Sequence, residues 1–167
     1  MIKLENILVA TDFGDASASA LTYGWALART FGARLHVLHV TQNVLMCMGP
    51  EAAGVDFAAV QARLDTSAMN QLNSIIADDD RRELHASGVI RSGTSPAHEI
   101  VVYADSAKID LIVIGTHGRG AMAHLFMGSV AERVVRSAPC PVLTVRHPEH
   151  EFVLPDALQV VARRGRT

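Results

Sequence analysis

Apolar residues fall along this chain in two alternating textures. Short, largely apolar runs at Ile7–Ala10, Leu35–Val40, Val89–Gly93, Asp110–Ile114 and Val142–Val145 have the length of strands buried on both faces. Between them, apolar residues recur every three or four positions, the period of a helix with one buried face. Leu21, Trp25, Ala28 and Phe31 mark the first such helix, with Asp15 placed to cap it and Gly32 to stop it. Val60, Leu64, Ala68, Leu72 and Ile75 mark a second, from about Phe57. A third opens at Ser95, with Pro96 at its first position, and turns Ile100, Val101, Ala104 and Ala107 inward. The last, 129–137, presents Val130, Val134 and Ala138, and Pro139 and Pro141 end it.

Strands and helices alternate without hairpin signals, which predicts an α/β fold: one domain with a doubly wound parallel sheet of five strands. Three stretches lie outside the alternation. Residues 41–56, punctuated by Gly49, Pro50 and Gly54, read as a long loop. Asp78–Glu83 reads as a solvated link, and 147–167 as a polar tail with one helical turn around Leu154–Ala162.

Composition narrows the function classes. At 167 residues the length suits a single domain, and 49% hydrophobic against 19% charged residues excludes a disordered chain. A formal charge of −2, without a long basic run, argues against nucleic acid as the main partner. No apolar run approaches the ~18 residues of a membrane span, and the N-terminus lacks a signal-peptide pattern. Cys47 and Cys140 are far apart and outside CxxC spacing, so a reduced, cytoplasmic setting is expected.

The candidate chemistry lies after the fourth strand. Gly115, Gly118 and Gly128 are separated by two and then nine residues, and Ser129 with Glu132 has the spacing of a capping box. Glycines let a backbone approach a ligand closely, and a helix start offers unpaired N–H groups and a positive dipole end. Arg119 adds a fork for phosphate oxygens. This is the pattern of a loop that holds nucleotide phosphates. Asp12 ends the first strand, where ligands of parallel α/β sheets bind; the alternative is a turn aspartate bonding its own backbone. His36 and His39, three apart on a strand, point to opposite faces and cannot chelate together. His117 stands in the glycine loop and could touch a nucleotide. No metal-ligand spacing is present.

The spacing Gly115-x2-Gly118-x9-Gly128-Ser129 resembles the ATP-binding signature of universal stress proteins. Ile7–Asp12, Ser92–Pro96 and Pro139–Val145 match the same family in the same order, so the resemblance spans residues 3–146. It implies a Rossmann-like sheet of order 3-2-1-4-5, similar to the adenine nucleotide alpha hydrolases, over residues 1–147, with 148–167 as a tail. It also implies a homodimer joined through strand Val142–Val145. For the site it implies Asp12 at the ribose or at a phosphate-bound Mg2+, and Val40 giving backbone contacts to adenine. Gly115, Gly118, Arg119, Gly128 and Ser129 would hold phosphates, with Ala10, Thr11, Ile114, His117 and Val130 completing the pocket. Ala10 stands where many relatives have proline.

Three readings follow. The first is a regulator in the stress response whose state depends on ATP, ADP or AMP and is read by a protein partner. The second is a slow ATPase using Asp12 and Mg2+; the chain has no Walker-type lysine, and phosphoryl transfer needs a positioned nucleophile. The third is an interaction module without nucleotide. The retained glycine signature favours the first.

Overall fold

A computed structural model describes residues 2–46, 54–116 and 128–146, and all structural statements concern these. Strands β1 (Asn6–Ala10), β2 (Arg34–Gln42), β3 (Ser87–Gly93), β4 (Leu111–Gly115) and β5 (Val142–Val145) form one parallel sheet in the order β3-β2-β1-β4-β5. Helices α1 (Asp15–Phe31), α2 (Phe57–Ile75), α3 (Asp78–Glu83), α4 (Pro96–Ser106) and α5 (Ser129–Ser137) connect them, with a short 3-10 turn at Val44–Met46.

Burial follows from the two-sided cover. In β1, Ile7, Leu8 and Val9 are all fully buried, which requires protein on both faces of this central strand. Successive side chains of a strand point to opposite faces. Ile7 and Val9 therefore join Leu35, Val37 and Val113 under α1 and α2, with Ala20, Leu21, Ala28, Leu72 and Ile76. Leu8 and Ala10 join Leu38, Ile112 and Ile114 under α4 and α5, with Ile100, Ala104, Ala131 and Val134. The chain winds outward from β1 through β2 to β3 and then crosses to β4 on the other side. Ala10 pairs with Leu38 on one side and Ile114 on the other, so the carboxyl ends of β1 and β4 lie together where the winding reverses.

The five strands and four long helices match the sequence pattern, and four local expectations are corrected. β2 runs on through Thr41 and Gln42, which pair with Ser92 and Gly93 and so belong to the sheet, not the loop. Asp65 of α2 explains the extension, since its carboxylate accepts from Thr41 Oγ1 (2.6 Å), Gln61 Nε2 (3.0 Å) and Ser92 Oγ (3.2 Å). Asp78–Glu83 is a helix and not a solvated link: Asp80 is buried and accepts from Arg29 of α1 at 2.6 Å. Asp15 is not the cap of α1; Gly14 is, and its N–H is taken by Asp12 Oδ1 at 3.0 Å. Nor does Ser129 cap α5. The Gly128 N–H goes to the Thr116 carbonyl and the Gly128 carbonyl accepts from Glu132, so the helix starts one residue earlier than a capping box requires. Ser95 does cap α4, accepting from the His98 N–H, and Gly32 ends α1 in the left-handed conformation. Leu64 and Phe31, placed inward by period, are partly exposed.

Candidate functional site

A cavity of about 410 Å³ opens at the switch point. From β1 and the turn after it come Ala10, Thr11 and Asp12; from β2, Leu38, His39 and Val40; from β4, Ile114, Gly115 and Thr116. Helix α1 adds Ser17, α4 adds Pro96 and Ile100, and the start of α5 adds Gly128, Ser129, Val130 and Ala131. Nine of the twelve residues singled out by sequence thus meet around one space: Ala10, Thr11, Asp12, Val40, Ile114, Gly115, Gly128, Ser129 and Val130. The other three, His117, Gly118 and Arg119, lie outside the described residues, as do Cys47 and the tail.

The walls divide by chemistry. Leu38, Val40, Pro96, Ile100, Ile114 and Val130 form an apolar side suited to a flat ring. The start of α5 lines the same cavity through Gly128, Ser129, Val130 and Ala131. An α-helix leaves its first four N–H groups without intrahelical partners. Here Gly128 has given its own to Thr116, no side chain among the described residues caps the helix, and Ser129, Val130 and Ala131 line the cavity. That end of the cavity suits an anion.

Asp12 sits on the turn joining β1 to α1, and its carboxylate bonds the Gly14 backbone, so the turn role weighed from sequence is real. It lines the cavity as well. Gly115 also has a packing reason: a Cβ there would stand 2.7 Å from the backbone carbon of Ala16 and 2.8 Å from its oxygen. β4 can pass under α1 only without a side chain at this point.

The two strand histidines diverge as the period required. His36 Nδ1 meets the Tyr103 hydroxyl of α4 at 2.8 Å, away from the cavity wall. Burial, with the Arg34 charge adding to it, holds its pKa below the ordinary histidine value. His39 turns the other way, its Nδ1 donating to the Thr11 carbonyl at 2.8 Å and its ring 4.4 Å from that of Phe13. Sequence reasoning missed His39 as a wall residue, together with Ser17, Leu38, Pro96, Ile100, Thr116 and Ala131. Pro96 and Ile100 carried only the signal of a helix start and of a buried helix face. Their place at the cavity follows from where α4 crosses the sheet, over β2 and β3.

Similarity to known proteins agrees with this architecture. The profile of the universal stress protein family matches residues 3–146. A universal stress protein of Thermus aquaticus is 36% identical over 144 residues, covering 85% of this chain and 98% of that protein. One from Methanocaldococcus jannaschii is 32% identical over 149 residues, covering 88% and 85%. Among solved structures, the universal stress protein UspA of Lactobacillus plantarum superposes with a TM-score of 0.76 at 27% identity, over 87% of this chain and all of its own. Two structures that share the fold at lower identity are complexes. One, a universal stress protein with cAMP, has 22% identity, a TM-score of 0.59, and coverage of 87% and 98%. The other, from Archaeoglobus fulgidus with dAMP, has 21% identity, a TM-score of 0.52, and coverage of 87% and 99%. With its profile match spanning nearly the whole chain and its sheet wound in the same order, this protein belongs to the universal stress protein family.

Proposed function

We propose that this chain binds an adenine nucleotide, ATP first with ADP and AMP as competitors, and serves as a nucleotide-dependent regulator in the stress response. The observation that carries the reading is the cavity at the switch point, lined by apolar side chains and by the N-terminus of α5, which no side chain among the described residues caps. The adenine nucleotides held by the two complexes above are of the class proposed.

In this reading the base lies along Leu38, Val40 and Ile114, with the Val40 main chain at its polar edge. Asp12 faces the ribose or a magnesium ion carried by the phosphates. The phosphates lie against the start of α5, at Ser129, Val130 and Ala131. Gly115 and Gly128 leave room for them, and His117, Gly118 and Arg119 complete the loop. Ala10 and Thr11 form the floor. Occupancy alters the protein's state by differential affinity for two conformations, and a protein partner reads that state. Residues 1–147 form the nucleotide-binding domain, 148–167 a tail, and the edge strand β5 joins two copies. Among the described residues no helix is long and apolar enough to cross a membrane, in keeping with a cytoplasmic setting.

Calorimetric titration with ATP and magnesium tests this. Saturable binding is expected in the wild type and its loss in Gly118→Val/Gly128→Val, whose branched side chains fill the space the phosphates need, with the circular dichroism spectrum unchanged. Absence of wild-type binding would overturn the proposal.

A further inference from the structure

The turn between β1 and α1 is held more firmly than a strand-to-helix connection needs. Phe13 adopts a left-handed φ of 62°, a conformation unfavourable to a non-glycine residue that persists only where the surroundings impose it. Two buried hydroxyls impose it here. Thr11 Oγ1 accepts the Phe13 N–H at 3.0 Å and lies 3.0 Å from Ser17 Oγ. Ser17 Oγ donates to the Gly14 carbonyl at 2.8 Å. With that proton committed, Ser17 must be the acceptor of the Thr11 hydroxyl, and the bonds run in one direction from Thr11 through Ser17 to Gly14. Thr11 and Ser17 are only 7% and 4% exposed, and both line the cavity.

The Gly14 carbonyl already receives the Ala18 N–H at 2.9 Å, so helix α1 does not depend on the Ser17 proton. What depends on Ser17 is the Thr11 hydroxyl, for which Ser17 is the acceptor among the described residues. The turn so fixed ends at the Gly14 N–H, which grips Asp12 Oδ1. His39 holds the same turn at two residues, bonding the Thr11 carbonyl and setting its ring against that of Phe13. Through the Gly14 N–H, the arrangement reaches the cavity-lining carboxylate of Asp12.

We propose that Ser17 is a positioning residue that, through Thr11 and the Phe13–Gly14 turn, holds the Asp12 carboxylate toward the sugar of the bound nucleotide and so sets preference for ribose hydroxyls. This rests on the nucleotide reading given above. Ser17 itself need not touch the ligand.

The test is a cycle between Ser17→Ala and the ligand's hydroxyls, read by calorimetry with ATP and 2′,3′-dideoxy-ATP, alongside thermal melts. Wild type is expected to favour ATP by about tenfold, the worth of hydrogen bonds to a charged group. Ser17→Ala is expected to lose most of that preference by weakening ATP alone, with dideoxy-ATP changed less than about twofold and the coupling visible as non-additivity. Thr11→Val, which removes the hydroxyl at nearly constant shape, should give the same pattern and stands in if Ser17→Ala does not fold. Equal weakening of both ligands, or no weakening of either, overturns the positioning role. Equal wild-type affinity for both ligands overturns it at the Asp12–sugar contact, while binding of neither overturns the nucleotide reading itself.

Discussion

Gly115→Ala separates the packing reason for a signature glycine from its reason as a ligand neighbour. A Cβ added to Gly115 meets main-chain atoms of Ala16, the carbon at 2.7 Å and the oxygen at 2.8 Å, with the Ala16 Cβ at 3.0 Å. No rotamer relieves a backbone clash. Restoring an ordinary contact of 3.4 Å requires α1 to retreat by about 0.7 Å from β4, in an interior packed without slack. The first turn of α1 carries the buried residues Ala16, Ser17 and Ala20, so the retreat opens apolar contacts along the helix. Overpacking of a core costs about 1–3 kcal/mol, and the upper end is expected because the obstacle is backbone. For a chain of this size that corresponds to a melting temperature lower by roughly 6–12 °C. Gly32→Ala is the comparison: nothing lies within 4 Å of its added Cβ, but its φ of 66° carries the left-handed cost of about 1 kcal/mol. Urea denaturation of both variants, with unchanged m-values, gives the two energies. If Gly115→Ala proves no less stable than Gly32→Ala, the packing account of this glycine is wrong.

Asp65→Ala removes the acceptor shared by Thr41, Gln61 and Ser92 and should cost about 2 kcal/mol in urea denaturation, within the range for orphaned polar groups; a loss under about 0.5 kcal/mol would show that the three donors satisfy one another. His36 has a folded pKa lowered by burial, so the unfolded chain binds its proton first; its contribution is whole above the unfolded value of about 6.5 and is lost as the pH falls through it. A shallower acid limb in the stability–pH curve of His36→Asn is therefore expected, and an unchanged slope would refute the assignment. Tyr103, raised by burial, acts at the other end, its contribution disappearing as the pH climbs past about 10, and Tyr103→Phe should flatten that alkaline limb.

The succession of strands and helices was legible along the chain, because each element's burial is written in its own period; the strand order 3-2-1-4-5 followed only from the family resemblance. Ile7–Val9 read as a two-sided strand because three adjacent residues are apolar, and all three are fully buried. Ser95–Pro96 and Gly32 marked helix ends through local backbone chemistry that needs no tertiary partner. Of the nine described candidates, Asp12, Gly115, Gly128 and Ser129 were legible as a strand end and a glycine spacing, whereas Ala10, Thr11, Val40, Ile114 and Val130 followed from the family resemblance.

Tertiary structure decided what depends on a distant partner. Asp78–Glu83 has no apolar period, and only Arg29, fifty-one residues away, makes Asp80 a buried residue of a helix. Thr41 counts as strand because it pairs with Ser92 of β3, and Asp65 of α2 accepts its hydroxyl. Ser129 and Asp15 had the residue types of caps, but the bonds of Thr116 and Asp12 to the adjoining glycines moved both helix starts. Ser17, His39, Pro96 and Ile100 reach the cavity from three separate elements. A period places a residue on a face of its helix or strand; which cavity that face meets is fixed only when the sheet order sets the elements side by side.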